Sequence, residues 1–181
     1  MRTIYSLDEG WTFHRTDDPS TPLPVAQFPT NIHLDLIHHG IIPDPYLQKN
    51  ELCVQWVGEK DWTYRKHFVG PSLTDADDRV ELRFEGLDTF VTITLNGKHL
   101  LRSENMFVPA RVDVTELLQP LNELVLSFES AWRRGKSFQE QHPEHRWLCW
   151  NGDPSRLAVR KAQYHYVRPC ISNACFTRLI N

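Results

Sequence analysis

From Trp62 onward the chain alternates apolar and polar side chains with a period of two. Trp62, Tyr64, Lys66 and Phe68 share one face of an extended segment, and Thr63, Arg65 and His67 share the other. Val80, Leu82 and Phe84 then alternate with Glu81, Arg83 and Glu85, and Val91, Ile93 and Leu95 alternate with Thr92 and Thr94. Each run has the pattern of a strand with one face in a core and the other toward water. Asn96-Gly97 closes the third run. That dipeptide tolerates the two positive φ angles of a type I′ turn, so Lys98–Arg102 should return antiparallel. Leu124, Leu126 and Phe128, alternating with Val125, Ser127 and Glu129, predict a further strand.

Helical signals are sparse. Asp113 and Glu116 stand in capping-box spacing and predict a short helical turn, soon ended by Pro120. Ala131 to about Gln141 suits a surface helix, with Pro143 just beyond its end. Up to about Asn50 the chain is rich in Pro and His, and Gly10 to Arg15 is the one strand candidate there. Short antiparallel strands joined by turns, with little helix, predict an all-β, jelly-roll β-sandwich carrying a short surface helix.

The 181 residues suffice for one well-cored domain. A net charge of -3 gives no electrostatic footprint for nucleic acid, and anionic membranes are equally poor partners. No run of apolar residues approaches the roughly 18 of a membrane span, and the N-terminus does not read as a signal peptide. A cytoplasmic, reducing location is therefore expected, with Cys53, Cys149, Cys170 and Cys175 as free thiols.

Candidate metal chemistry fails on spacing. His33, His38 and His39 do not form the His-Glu-x-x-His pattern and are read as loop or interface histidines. Cys170 and Cys175 have zinc-like spacing but lack a second ligand pair. There is no nucleophile elbow and no phosphate-cradling glycine loop, so no metal and no cofactor is expected.

Three segments, in order, carry a resemblance. The first holds Asn31-Ile-His-Leu-Asp35-Leu, Gly40-Ile-Ile-Pro-Asp-Pro45-Tyr, Asn50-Glu51 and Trp62-Thr-Tyr-Arg-Lys-His-Phe68. The second holds Phe84-Glu-Gly-Leu-Asp88, Asn96-Gly97, Asp113-Val-Thr-Glu-Leu-Leu118 and Asn122-Glu-Leu124. The third runs from Trp150-Asn-Gly-Asp-Pro-Ser-Arg156 through Arg160-Lys-Ala-Gln-Tyr-His-Tyr166. Together they resemble glycoside hydrolase family 2, and its intracellular, fungal-type β-mannosidase branch in particular. The resemblance covers Met1 to Tyr166 and implies the galactose-binding-domain-like sandwich that precedes the catalytic barrel in that family. It implies hydrolysis of terminal, non-reducing β-D-mannose by the complete enzyme, with β-mannoside oligosaccharides as partners.

In the family, the segment matching Gln163 to Tyr166 runs on into Gly-Trp-Asp-Trp-Gly-Pro, whose Trp and Asp reach the sugar pocket. Here Val167 to Asn181 stands instead as an unmatched C-terminal tail. In-frame read-through of an intron beginning GTRNGT would give Val followed by Arg, Ser, Cys or Gly, and Val167-Arg168 fits that pattern. Tyr164, His165 and Tyr166 are the expected substrate-proximal positions, being nearest to the replaced motif. No residue is expected to be catalytic. The two glutamates of a family 2 enzyme lie on a (β/α)₈ barrel that takes roughly 250 residues. Such a chain should be inactive alone, and apolar surface left uncovered should drive self-association. The alternatives are a stand-alone carbohydrate-binding sandwich, since such folds host both roles, and a fragment without function.

Overall fold

The alternation in the sequence becomes two antiparallel sheets sharing one core. A computed structural model describes residues 2–73, 75–145 and 172–179. Among these, a six-stranded sheet runs in the order β3 (Asp18–Pro24), β2 (Trp11–Arg15), β4 (Trp62–Phe68), β9 (Asn122–Phe128), β6 (Val91–Leu95), β7 (Lys98–Ser103). A four-stranded sheet runs β1 (Arg2–Ser6), β10 (Ser172–Leu179), β5 (Arg79–Gly86), β8 (Ala110–Asp113). The expected all-β sandwich is the observed one.

The inward faces follow the period of two. Val80, Leu82 and Phe84 of β5 are fully buried, as are Val91, Ile93 and Leu95 of β6 and Leu124 and Leu126 of β9. Burying a side chain of this size contributes roughly 1.5–3 kcal/mol, so these eight positions are a large share of what holds the sheets together. Trp11, Phe13 and Tyr64 extend the same cluster toward the N-terminal strands, with Phe13 and Tyr64 stacked at 5.8 Å. Lys66 shares that inward face. Its stem is buried while its ammonium donates to the Glu9 carbonyl at the core's edge. Burial lowers its pKa. Gly10, next to that contact, holds a φ of 71°, and this angle rather than lack of room is what calls for glycine.

The hairpin expected at Asn96-Gly97 is present, with φ of 53° and 76° and β6 paired to β7. Asn96 does more than turn the chain. Its amide donates to the Leu117 carbonyl at 2.8 Å and to Asn122 Oδ1 at 2.9 Å, and its Oδ1 accepts from the Glu123 N–H at 2.9 Å. The fully buried Asn122 carboxamide also accepts from the Gln119 N–H at 2.8 Å and donates to the Gln119 carbonyl at 2.7 Å. The turn is thereby tied to the neighbouring strand as well as to its own hairpin.

Both helical segments form, but the turn at Asp113 starts from Val114 with no side-chain cap, so the expected capping box is not made. α2 spans Ala131–Gln141, with Ser130 Oγ accepting from the Arg133 N–H at 3.1 Å as the cap. At the Asp113 turn the short helix is a 3₁₀ turn over Thr115–Leu117, and Asp113 Oδ1 accepts from the Thr115 N–H and hydroxyl. The N-terminal third departs from its sequence reading. Besides Trp11–Arg15 it forms β1, β3 and a helix, α1, over Ile32–His38. β3 is a polar, Pro-bearing edge strand with most of its residues exposed, so it offers no alternation to read.

α1 is fixed to the sandwich through one carboxylate. Asn31 caps the helix, its Oδ1 accepting from the Leu34 N–H at 3.1 Å. One turn in, Asp35 is 2% exposed and accepts from the Thr30 hydroxyl at 2.7 Å and from the Tyr64 hydroxyl of β4 at 2.7 Å. Leu36 packs into the core beside it.

The largest correction concerns the tail. From sequence, Cys170 to Ile180 has no evident partner. In the structure Ser172–Leu179 is an inner strand, antiparallel to β1 from Arg2↔Leu179 to Ser6↔Cys175 and to β5 from Ser172↔Gly86 to Leu179↔Arg79. A short run containing Cys, Phe, Thr and Leu has the composition to fill such a place. No family pattern was needed for it.

Two outcomes follow. Tyr64→Phe strips one hydrogen bond from a buried carboxylate, and urea denaturation should report a loss of about 1–3 kcal/mol. Deleting residues 172–181 removes the pairing partner of β1 and one partner of β5. Hydrogen exchange read by mass spectrometry should then lose protection over residues 2–6 and weaken it over 79–86. Unchanged protection in the deletion variant would contradict the observed strand order.

Candidate functional site

A glycosidase general acid must hold its proton near working pH and reach the substrate. Among the described residues, Asp35 is the carboxyl whose pKa is raised, and burial is the main cause. Hydrogen bonds from Tyr64 and Thr30, and the charges of His39 and His38, oppose the rise. Tyr64 is pushed well above its ordinary value by its own burial and by the Asp35 charge. The pair therefore has the electrostatics of an acid site without its access: Asp35 is 2% exposed, and each oxygen already accepts a hydrogen bond from the protein. Its work is to seat α1 on β4.

The other shifted carboxyls move downward. Hydrogen bonds from Arg15 to Asp17, from Ser20 to Asp18 and from Thr115 to Asp113 hold these groups ionised. Ionised surface carboxylates in local turns and ion pairs are poor proton donors.

His33, His38 and His39 sit on or just after α1 rather than in a loop. His39 Nε2 lies 2.7 Å from the Pro24 carbonyl, and the His38 and His39 rings meet edge-on at 5.1 Å. Among the described residues no group of three potential ligands could hold a metal ion. Tyr164, His165 and Tyr166, the expected substrate-proximal residues, lie outside the described residues, as do Cys149 and Cys170. Cys53 is an exposed free thiol.

Two of the open clefts on the described surface are notable. One, of about 380 Å³, lies beside Asp8, Glu9, Gly10 and Phe28, where Trp11 and Phe28 stack at 5.9 Å. The other, of about 360 Å³, is lined by Asp17, Glu59, Lys60, Asp61, Trp132 and Arg133. Three separate segments converge on the second cleft: the β2–β3 turn, the approach to β4, and the first turn of α2. Sequence reading missed it because residues 43 positions apart, Asp17 and Lys60, become neighbours only through strand pairing.

Comparison with known proteins gives a consistent picture. A family model described as "Glycosyl hydrolase 2 galactose-binding domain-like" matches residues 11–168. A β-mannosidase B of Thermothelomyces thermophilus is 57% identical over 167 residues, covering 91% of this chain and 19% of that protein. A β-mannosidase B of Emericella nidulans is 43% identical over 168 residues, covering 91% of this chain and 20% of its own length. The crystal structure of a β-D-mannosidase from Dictyoglomus thermophilum superposes with a TM-score of 0.83 at 33% identity, over 96% of this chain and 22% of that one. An FMN-binding β-glucuronidase at 17% identity and TM-score 0.61 shares the fold alone. The chain thus spans about a fifth of the length of the curated relatives it matches. By the family model's coverage and by the sandwich itself, the chain belongs to the galactose-binding-like domain family of glycoside hydrolase family 2.

Proposed function

We propose that this chain is the non-catalytic, N-terminal sandwich of a β-mannosidase. The complete enzyme of this kind removes terminal, non-reducing β-D-mannose from β-mannosides and oligosaccharides with retention. One observation carries the reading: 57% identity to a β-mannosidase B runs across 91% of this chain but 19% of that protein. A catalytic barrel of roughly 250 residues does not fit beside the sandwich in 181. The sandwich supports and walls the pocket, and the paired carboxylates act from the barrel.

Within that reading, residues 1–166 form the family domain and 167–181 the divergent tail. Tyr164, His165 and Tyr166 lie inside the family-matched span and are its substrate-proximal positions in a complete enzyme. No described helix is long and apolar enough to cross a membrane. An exposed free Cys53 suits a reducing, cytoplasmic compartment.

A domain that supports a barrel needs an apolar face to offer it. Ile41, Tyr46, Leu47 and Leu52, all from the segment between α1 and β4, are 47%, 93%, 59% and 67% exposed. Uncovered apolar side chains at this density favour association of one copy with another.

Activity and solution behaviour each give a test. The purified chain should release no 4-nitrophenol from 4-nitrophenyl β-D-mannopyranoside above a buffer control. Turnover that survives repurification would overturn the non-catalytic assignment. Light scattering coupled to gel filtration should find mass rising with concentration, and Tyr46→Ser with Leu47→Ser should reduce that rise. A monomer of constant mass across the concentration series would count against an uncovered docking face.

A further inference from the structure

The edge of a sheet carries backbone N–H and C=O groups that another strand can pair, so folded proteins blunt their edges with proline, charge, brevity or bulges. Among the described residues the two sheets end in the edge strands β3, β7, β1 and β8. Three of these are blunted. β3 carries Pro19, Pro22 and Pro24, and proline cannot donate to a ladder. β7 carries Lys98, His99 and Arg102, and its register with β6 shifts between Ile93 and Thr94. β8 is only four residues long, and Arg111 and Asp113 are two of them.

β1 has none of these devices. It reads Arg-Thr-Ile-Tyr-Ser, with a single charge, no proline, and Thr, Ile and Tyr at its centre, all residues that favour strands. Its register with β10 is unbroken from Arg2↔Leu179 to Ser6↔Cys175, so no bulge turns it away from a newcomer. Ile4 is 61% exposed and Tyr5 41%. Among the described residues no strand lies on its outer side.

The strand is also complementary to itself. Full antiparallel overlap of two copies sets Ile4 opposite Ile4 of the second copy, Thr3 opposite Tyr5, and Arg2 opposite Ser6. No like charges meet, and an aromatic residue beside a β-branched one is a favourable cross-strand pair. A twofold axis through the Ile4 pair satisfies this register at both ends at once.

We propose that β1 is an interaction edge that pairs antiparallel with β1 of a second copy, joining the four-stranded sheets of the two into one. The pairing is centred on Ile4. Five residues a side make a small interface, so association is weak and reversible, with Kd on the order of 100 μM.

Sedimentation equilibrium on the Tyr46→Ser/Leu47→Ser variant separates this edge from the apolar segment between α1 and β4. In that background the chain should still be mostly dimer at about 0.5 mM, several times the expected Kd. Adding Ile4→Lys sets two ammonium groups against each other and should weaken dimerisation at least about tenfold, and Ile4→Glu should do the same. An equimolar mixture of the Lys and Glu variants should regain dimers, because opposite charges then meet across the axis. Loss of fold in either variant cannot produce that recovery. A chain that stays monomeric at about 0.5 mM in the Tyr46→Ser/Leu47→Ser background overturns the proposal. So does association that Ile4→Lys leaves unchanged, or a mixture no more associated than its two components.

Discussion

A buried strand must pair its backbone on both sides, and β5 sets that condition for this molecule. Val80, Leu82 and Phe84 are fully buried, so β5 is where the four-stranded sheet meets the core. An interior strand with one open edge would leave N–H and C=O groups without partners, at a cost comparable to a lost hydrogen bond for each. β8 covers one edge from Phe84↔Ala110 to Glu81↔Asp113, over four residue pairs. The other edge is longer, from Gly86 to Arg79, and β10 fills it. β1 is then held by β10 rather than by β5. The last strand of the chain therefore places the first. This is why residues 172–179 matter to the architecture.

The second constraint is a polar group inside an apolar seam. Asp35 carries its charge into a site 2% exposed, and burial alone would drive it toward the protonated form. The Thr30 and Tyr64 hydroxyls offset part of that cost, one on each oxygen. The arrangement fixes α1 in one orientation on β4, because a hydrogen-bonded carboxylate cannot slide as a methyl group can. It also removes the carboxyl from chemistry. A group that resembles a glycosidase acid by its pKa direction is here a fastening, and access rather than proton affinity separates the two.

Much of the sandwich was legible because half-burial writes itself into a strand as a period of two. β4, β5, β6 and β9 each bury one face and each could be read. Asn96-Gly97 was legible because its backbone angles favour few other residues. β3 was not legible, since an exposed edge strand with three prolines has no buried face to impose a pattern. α1 was hidden by its brevity: seven residues give barely two turns, and Asp35 interrupts the apolar stripe. β10 was missed for a different reason. Strand pairing depends on length, register and propensity, and the partners β1 and β5 are remote from β10 in sequence. At the candidate cleft nothing local could have served, because its groups come from three segments joined only by the fold.

The surface divides its tasks by chemistry. The segment from Ile41 to Leu52 exposes four large apolar side chains, interspersed with the exposed charges of Asp44, Lys49 and Glu51, which suits a protein face. The cleft at Trp132 has the opposite character: one aromatic side chain among charged groups that are already paired. Water competes well for the second surface and poorly for the first. A domain that keeps both, and buries Asp35 as a fastening for α1, is built to position other groups. That is the physical meaning of a non-catalytic domain here.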